Sequence, residues 1–471
     1  MTRIVAAFAR HAERVAFGLF LLGLGLFVFV AGMAAGRFKL PPYRAFDAAK
    51  DAAVALKDKY WVAEQPFAYK TARERGGVLR SDPERAYPGF TLFTGYSEGS
   101  FGARLIDLQG RLVHRWDVAF SEVWPGTAPH ISDRAPDKLV TWHGVHLFPN
   151  GDLLLNFQGG NFPGGGGLVR LRKDSSIAWS LARNTHHDMD VLPDGRILVP
   201  AHAWRETGIP ACARLLDPPY HEDQLLLVSP EGKVEHEMSV LGALCRSPFR
   251  SLFSVTGLDA GTWRGRIETD DPTHLNNVDL VTEDTAKPFP MARPGDVLVS
   301  LRNLNAIGFL DPRGEQFRWL LAGPFIRQHD PDLLPDGKIL LFDNRGGGGG
   351  DGTERSRVIA IDPATQAIGW RFEGNGDDAL WSEKMGNQQL LPNGNVLITE
   401  SWGGRILEVT RAPEPEVVWE YVNLLPPVDG VAKVGLISQA LRFGAAELPF
   451  LDRPESPSAD RGNAAAAPPS G

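Results

Sequence analysis

Cysteine is scarce in this chain of 471 residues. Only Cys212 and Cys245 occur, and neither belongs to a CxxC motif or to a Cys/His cluster with metal-ligand spacing. The sequence therefore excludes a dithiol redox centre and a cysteine-based metal centre. Two interpretations of the pair stay open. They form a disulfide if this part of the chain faces an oxidising compartment, or they are two buried free thiols.

Clusters of basic residues are also missing. Lys and Arg total 49 against 57 Asp and Glu, which gives a net charge of −8, and no basic stripe runs along the chain. Because nucleic-acid-binding proteins usually carry such a patch, no nucleic-acid partner is expected. With 43% hydrophobic and 23% charged residues, the composition is that of a globular protein with a large buried core.

One stretch lacks charge altogether, the 22 residues 15–36. A helix of this length spans about 33 Å, enough to cross the hydrocarbon core of a bilayer. The apolar region of a signal peptide is shorter, about 7–15 residues. We therefore predict an uncleaved transmembrane anchor at residues 15–36, preceded by a cytoplasmic N-terminus at residues 1–14. Basic residues flank both ends of the span, so the distribution of charge does not decide the orientation.

The rest of the chain divides into three predicted segments. Residues 37–88 are predicted to form a juxtamembrane amphipathic helix, at Arg44–Tyr60, and a connector. Residues 452–471 are rich in Pro, Ser and Ala and are predicted to be a disordered tail. Between them, residues 89–451 contain short β-type runs bounded by Gly, Pro, Asn or Asp.

These runs repeat in two patterns. The first is a turn followed by a strand, as in FPNGDLLLNF, LPDGRILVPA, RPGDVLVSL, LPDGKILLFD and LPNGNVLITE. The second is a strand, a turn and a strand, in six copies: ARLIDLQGRLVHRW, GLVRLRKDSSIAW, QLLLVSPEGKVEHEM, AIGFLDPRGEQFRW, RVIAIDPATQAIGW and RILEVTRAPEPEVVW. Repeats of this size are typical of propeller blades, so the sequence predicts an all-β, six-bladed β-propeller. Residues 434–443 are expected to supply the missing innermost strand of the first blade.

Histidines recur at one register of these repeats. His143, His187 and His329 each lie six residues before the proline of a turn, and His274 takes the matching place in the fourth blade. The first strand of each blade lines the central channel of a propeller. We therefore expect these four of the twelve histidines to converge on one spot.

A second register lies at the other end of the hairpin. Fifteen residues after His143, His187 and His329 come Gln158, His202 and Asn344. In the last blade Gly386 takes the first register and Ser401 follows it by fifteen residues, and Arg302 is the equivalent residue of the fourth blade. Antiparallel pairing brings both registers to one edge of the sheet. Imidazoles and a guanidinium offer many hydrogen-bond donors, so an anion site is predicted at the mouth of the channel. A metal site is the competing interpretation, but Arg302 would repel a cation, and no metal is predicted.

The same residues resemble a known family. The strings that carry the resemblance, in order from Gly89 to Leu451, are GFTLF, LIDLQGRLVHRW, HHDMDVLPDG, HLNNV, LVSLRNLNAIGFLD, RQHDPDLLPDGKILLFDN, SRVIAIDPATQAIGWRFEG and ALRFGAAELPFL. They are similar to those of the arylsulfotransferase (arylsulfate sulfotransferase) family. The Gly-rich run Gly346–Gly350 has no counterpart in that family, and the anchor replaces a plain signal peptide.

The resemblance implies a periplasmic six-bladed propeller that transfers a sulfuryl group from an aryl sulfate to a phenol. It implies a sulfohistidine intermediate and independence from 3′-phosphoadenylylsulfate, with no cofactor. The nucleophile falls on His329, and the anion-binding residues fall on His187 (or its neighbour His186), His274 and Arg302. Further substrate-binding residues are predicted at four positions: His143, His202, Asn276 and Asn344.

The resemblance also implies a location and partners. The protein is expected in the inner (cytoplasmic) membrane, held by a single span, with the propeller on the periplasmic side and with an aryl sulfate and a phenol as ligands. The sequence does not predict the oligomeric state or the identity of donor and acceptor. Two alternative functions stay open: a non-catalytic anion-binding propeller on the membrane surface, and a His-metal hydrolase or lyase.

Overall fold

The computed structural model divides into two compact units, Met1–Glu64 and Gln65–Gly471. It describes residues 2–37, 49, 65–97, 99–126, 130, 136–159, 165–213, 215–216, 218–253, 271–345, 355–428 and 430–452. Apart from Ala49, the amphipathic helix predicted at residues 44–60 lies outside the described residues, and so does the predicted tail from residue 453 onward.

The first unit contains one long helix, α1, which spans Thr2–Arg37. Its segment Val15–Ala35 is long and apolar enough to cross a membrane, and it is the one such segment among the residues that the structure describes. The large apolar side chains from Val15 to Met33 are exposed on all sides of the helix, as a lipid environment requires. The helix begins before the apolar span, so residues 2–14 continue it rather than forming a separate segment.

The second unit is built from short strands. In chain order they are β1 Ala68–Lys70, β2 Gly77–Ser81, β3 Phe90–Ser97, β4 Ser100–Ile106, β5 Leu112–Trp116, β6 Val140–Leu147, β7 Leu153–Gly159, β8 Gly167–Leu171, β9 Ile177–Leu181, β10 Asp190–Val191, β11 Ile197–Arg205, β12 Tyr220–Val228, β13 Val234–Ser239, β14 Leu275–Leu280, β15 Val297–Leu301, β16 Ala306–Asp311, β17 Gln316–Ala322, β18 His329–Leu333, β19 Ile339–Asp343, β20 Arg357–Ile361, β21 Ile368–Phe372, β22 Asn387–Leu390, β23 Val396–Glu400, β24 Arg405–Val409, β25 Val417–Val422, β26 Leu424–Val428, β27 Val431–Gly435 and β28 Ile437–Phe443. Among the described residues, three short α-helices lie between them: α2 Phe120–Val123, α3 Val240–Arg246 and α4 Glu283–Ala286. The predicted all-β class is confirmed.

The strands pair in antiparallel sheets that follow the repeats. Sheet 1 has the order β28-β3-β4-β5, sheet 2 β6-β7-β8-β9, sheet 3 β10-β11-β12-β13, sheet 4 β14-β15-β16-β17 and sheet 5 β18-β19-β20-β21. Sheet 6 has β22-β23-β24-β25 with β2 added at its edge, and β1, β27 and β26 form a small three-stranded sheet. Each copy of the second sequence pattern is the outer hairpin of one of the six larger sheets.

The two ends of this unit meet in sheet 1, where β28 pairs with β3 as predicted. The pairing strand begins at Ile437 rather than at residue 434, because Val431–Gly435 turns back as β27 and pairs with β1. The segment predicted as a connector also contains structure. Its described part carries β1 and β2, which pair with β27 and β25.

Hydrogen bonds join the inner segments of successive sheets in a closed cycle. The six contacts are Val145 N to Gln439 Oε1 at 2.8 Å, Gly144 N to His187 O at 2.6 Å, Val278 N to Asp188 Oδ2 at 3.1 Å, Asn276 Nδ2 to Gln328 O at 2.9 Å, Gln388 N to Asp330 Oδ2 at 2.9 Å and Arg442 N to Gln389 Oε1 at 2.7 Å. The last contact links sheet 6 back to sheet 1. Every inner segment therefore has a neighbour on both sides.

Apolar side chains fill the space between the faces of neighbouring sheets. One buried cluster lies at each of the six interfaces, as with Leu105 against Leu155 between sheets 1 and 2. Between sheets 4 and 5, Phe309 and Leu341 have no exposed surface. Apolar burial of this extent is the main stabilising contribution to a fold of stacked sheets. In sheet 3, Cys212 and Cys245 form a disulfide that ties α3 to the segment after β11.

Candidate functional site

Three imidazoles from consecutive sheets lie side by side at the inner edge. The ring centroids of His143 and His187 are 4.8 Å apart, and those of His187 and His274 are also 4.8 Å apart. His187 and His274 both have a left-handed backbone, with φ of 54° and 52°. That conformation costs a non-glycine residue on the order of 1 kcal/mol and is concentrated at functional sites. The left-handed backbone therefore indicates that His187 and His274 belong to a functional site.

A glycine permits the close approach of two of these segments. Gly144 N donates to His187 O at 2.6 Å, and a Cβ on Gly144 would lie 2.4 Å from that oxygen. Any side chain at this position would push the two segments apart. The residue type at Gly144 therefore sets the distance between His143 and His187.

The hydrogen bonds of His329 define which of its two ring nitrogens carries the proton. Its Nδ1 lies 2.7 Å from Asn344 Oδ1 and 3.1 Å from Arg327 O. The amide of Asn344 is fixed because its Nδ2 donates to Ser382 O and Met385 O, at 2.9 and 2.7 Å. Both atoms facing Nδ1 are acceptors, so Nδ1 carries the proton and Nε2 keeps its lone pair.

The environment keeps His329 neutral. Burial lowers its pKa well below the ordinary value, and the positive charge of Arg302 lowers it further, although the hydrogen bond with Asn344 acts in the opposite direction. Burial and then His274 lower the pKa of His143 to about 4. Burial, followed by the neighbouring imidazoles, lowers the pKa of His187 in the same way. These rings are therefore uncharged donors and acceptors at neutral pH.

Arg302 and His274 form the other part of the site. The backbone N of Arg302 donates to His274 O at 3.1 Å, and its Nη1 donates to Asn303 Oδ1 at 3.0 Å. The guanidinium is buried, and it acts electrostatically on His329. His274 Nδ1 contacts Asp271 Oδ2. Burial acts to raise the pKa of Asp271, but the charge and hydrogen bond of His274 outweigh it and lower that pKa.

A small, partly open pocket with a cavity volume of about 40 Å³ lies at this edge. Its lining residues are His143, Gly144, His187, Asp188, Asn276, His329, Asp330, Met385, Gly386, Asn387, Ser438 and Gln439. Four of the predicted residues thus line it: His143, His187, Asn276 and His329. The predicted residues His274, Arg302, His186, His202 and Asn344 are not in the lining.

His186 and His202 lie beside each other, outside the pocket lining. The ring centroids of His186 and His202 are 3.9 Å apart, and His202 Nε2 lies 2.8 Å from Asp223 Oδ1. The regular pairing stops near this point, with β10 beginning only at Asp190. His202 is therefore a neighbour of His186 rather than of His187. Among the described residues, His186, His202 and Asp223 are a group able to hold a metal ion.

A layer of carboxylates on the same inner strands was missed by the sequence analysis. It consists of Asp188, Asp190, Asp279, Asp330 and Asp332. Burial raises the pKa of each, to about 6 for Asp188, and repulsion between neighbouring carboxylates adds to the effect. The signal was present in the sequence as His-Asp-x-Asp, in HDMD at His187 and HDPD at His329.

A family model described as Arylsulfotransferase (ASST) matches residues 144–423, which is more than half of the chain. The match includes His187, His274, Arg302 and His329. Among curated proteins, none matches this chain.

Several solved structures align with most of this chain at low similarity. A protein of unknown function from Bacteroides caccae is 14% identical, covers 75% of this chain and 98% of its own, and has a TM-score of 0.45. Virginiamycin B lyase from Staphylococcus aureus is 11% identical over 79% of this chain and 97% of its own, with a TM-score of 0.37. The WD40 beta propeller domain of Doa1 is 9% identical over 81% and 97%, with a TM-score of 0.35. At these TM-scores the likenesses support no conclusion on fold or function.

Proposed function

The chain belongs to the arylsulfotransferase family, and on that premise we propose that it is a membrane-anchored, six-bladed β-propeller that transfers a sulfuryl group from an aryl sulfate to a phenol. The transfer passes through a sulfohistidine at His329 and needs no 3′-phosphoadenylylsulfate. The observation that carries the proposal is the tautomer of His329. A buried neutral imidazole lines the pocket with Nδ1 held by Asn344, so Nε2 is available as a nucleophile.

The first half-reaction forms a bond between His329 Nε2 and the sulfur of the donor. The bond from sulfur to the aryl oxygen breaks, and its electron pair leaves with the phenolate. As in phosphoryl transfer, the attacking and leaving atoms lie in line and the negative charge is spread over three oxygens. Arg302, His187 and His274 are the groups proposed to stabilise that charge, and one such donor typically contributes about 3–4 kcal/mol in the transition state.

Proton transfer completes both halves of the cycle. His274 is the imidazole with a carboxylate partner, so Asp271 balances a positive charge on its ring. We assign to it the proton that the leaving phenolate takes up. In the second half-reaction the acceptor phenol returns a proton as its oxygen attacks sulfur, the S–N bond breaks and Nε2 recovers its lone pair. The kinetics are then of the ping-pong type.

Two structural features support the six-bladed architecture and the location. The six larger sheets contact one another in a closed cycle, each interface filled by its own apolar cluster, as the blades of a propeller require. The disulfide between Cys212 and Cys245 is of the kind that persists in oxidising compartments. It supports a periplasmic location of the propeller, and the length of the apolar segment Val15–Ala35 supports the anchor in the inner membrane.

The proposal is tested with His329→Asn and with p-nitrophenyl sulfate as the donor and phenol as the acceptor. The variant should lose at least about 10³-fold in kcat and keep its thermal unfolding temperature. The matched control is His236→Asn, because His236 is an exposed histidine on β13. In the wild type, a quenched reaction without acceptor should give a His329 peptide heavier by roughly 80 Da, the mass of one SO₃.

Two outcomes would decide against the proposal. If His329→Asn turns over at the rate of the wild type, His329 is not the nucleophile. If the wild type binds sulfate or p-nitrophenyl sulfate without forming product, the alternative of a non-catalytic anion-binding propeller is favoured instead.

A further inference from the structure

A second cluster of ionisable groups lies outside the pocket lining, formed by His186, His202 and Asp223. His202 Nε2 is 2.8 Å from Asp223 Oδ1, and His186 Nε2 is 3.6 Å from the same oxygen. One ligand atom from each residue lies within 4.8 Å of the other two. All three side chains are buried. Buried groups of this kind need partners that compensate for their loss of solvation.

The orientation of the carboxylate is fixed by donors on one side. Asp223 Oδ2 accepts from Leu275 N at 2.8 Å and from Thr273 Oγ1. Asp223 Oδ1 therefore faces the two imidazoles. Within the described residues, His186 Nε2 has no partner in hydrogen-bond geometry. The three ligand atoms are close enough to one another to share one ion.

The residue types fit a transition metal. Two imidazoles and one carboxylate, with a further position open, are a ligand set that proteins use for Zn²⁺. Ligand atoms about 2.0–2.1 Å from zinc in a tetrahedron are about 3.3 Å from one another, and the distances of 2.8 and 3.6 Å lie on either side of that value. We propose that His186, His202 and Asp223 bind one Zn²⁺ ion.

No metal was predicted from the sequence, because Arg302 would repel a cation. In the structure the guanidinium of Arg302 donates to Asn303 and acts electrostatically on His329. Asp223 lies on β12 as the cross-strand neighbour of His202, outside both histidine registers. It supplies the negative charge that the registers lack.

The metal site connects to the pocket through one hydrogen bond. His186 Nδ1 lies 2.8 Å from His187 Nδ1, so one of the two nitrogens must carry the proton. When His186 Nε2 binds zinc, its proton is on Nδ1 and is donated to His187 Nδ1. The proton of His187 is then on Nε2, as a donor for an anion in the pocket. This consequence rests on the proposed function, while the metal site itself does not.

The first experiment measures metal content. The full-length chain is purified in detergent without chelator. Inductively coupled plasma mass spectrometry should then find about one zinc ion per chain. His202→Ala and Asp223→Asn should reduce this to below about one tenth, with circular dichroism reporting whether the variants fold. The exposed His236→Ala is the matched control and should keep the zinc. Iron in place of zinc, lost in the same variants, would overturn the zinc assignment.

The second experiment needs no variant. Chelator-treated wild-type protein should rebind one Zn²⁺ in a titration calorimeter, and its melting temperature should rise on binding. A folded wild type that contains no metal and does not bind added Zn²⁺ would overturn the proposal and leave a buried ion pair between His202 and Asp223.

A third measurement separates this proposal from the proposed function. His329→Asn should lose turnover and keep its zinc, because His329 is not in the ligand group. Removal of zinc from the wild type should raise KM for p-nitrophenyl sulfate about tenfold, through the donor lost at His187. Zinc bound to a wild type that never turns over would contradict the transferase function alone. An unchanged KM would overturn the link between His186 and His187.

Discussion

The inner segments carry two layers of ionisable side chains that differ in what they contact. Histidines of the first layer, such as His187 and His329, line the pocket and contact one another. Carboxylates of the second layer contact the backbone of the next sheet, and two of them, Asp188 and Asp330, also line the pocket. Asp190 Oδ2 accepts from Leu280 N at 2.8 Å, and Asp330 Oδ2 accepts from Gln388 N at 2.9 Å. Within one inner segment, the histidine is thus available for ligand binding, and the carboxylate after it contacts the next sheet.

Burial shifts the pKa values of the two layers in opposite directions. It lowers the pKa of His143 and His329 and raises the pKa of Asp279 and Asp332. In each case the neutral form is favoured, because a low-dielectric environment disfavours charge. The guanidinium of Arg302 keeps its charge in this setting. The fixed positive charge therefore comes from Arg302 rather than from His143 or His329.

The largest expected effect is on activity. Arg302→Ala should reduce kcat/KM for p-nitrophenyl sulfate by about 10²–10³-fold, because the charge that stabilises the sulfuryl oxygens is lost. Arg302→Lys should recover part of this, since an ammonium keeps the charge but not the planar fork of donors. The control is Arg371→Ala, whose side chain is 63% exposed. Equal kcat/KM in wild type and Arg302→Ala would exclude the guanidinium from the reaction.

The second-largest effect is expected on the free energy of unfolding, for a substitution in the carboxylate layer. Asp190→Ala leaves Leu280 N without its acceptor and should lower the free energy of unfolding by about 1–3 kcal/mol. Asp190→Asn keeps an oxygen acceptor and is the matched control. Neither should change kcat/KM by more than about twofold, since Asp190 is not in the pocket lining. A loss of activity with unchanged urea unfolding would contradict the division between the layers.

The carboxylate layer should also make stability depend on pH. Burial, and then the charges of Asp279 and Asp188, raise the pKa of Asp332 well above its ordinary value. A carboxyl with a raised folded-state pKa favours folding below its unfolded pKa of about 3.9, and that contribution is lost as pH rises through the folded-state value. The loss is about 1.4 kcal/mol per pH unit for one such group.

Melting temperatures at pH 5, 6, 7 and 8 test this dependence. The wild type should become less stable as pH rises, and Asp332→Asn should flatten the slope while keeping the contact with Gln388. Asp284→Asn is the control, because Asp284 is exposed and its pKa is lowered by Lys287. A wild type that gains stability over the same pH steps would show that these carboxyls are not protonated in the folded chain.

The sequence predicted the elements that depend on local pattern. The outer hairpins, the convergence of His143, His187 and His274, and the pairing of the C-terminal strand with β3 followed from the repeats. Contacts set by distant chain segments did not follow. The pairing of β1 with β27 and of β2 with β25 joins segments more than 330 residues apart, and short strands of three and five residues carry little pattern.

The residues of the candidate site were likewise predicted where they follow the repeats and not where distant segments set their contacts. Registers counted along the chain found His187 and His202, but in the structure the ring next to His202 is that of His186, because irregular pairing before β10 breaks the count. Asp223 was not found because its contact with His202 is set by cross-strand register between β11 and β12. Its own neighbours in the sequence give no indication of that contact.

The smallest effect concerns the residue that orients the nucleophile. Asn344→Ala removes the acceptor 2.7 Å from His329 Nδ1, while Arg327 O remains at 3.1 Å. The proton on Nδ1 is then held less firmly, so kcat should fall about tenfold while KM for the donor stays within about twofold. Asn344→Asp restores an acceptor and should recover most of kcat. A rise in KM without a change in kcat would show that Asn344 binds substrate directly. Asn344 would then belong with the histidine layer and would not be a positioning residue for His329.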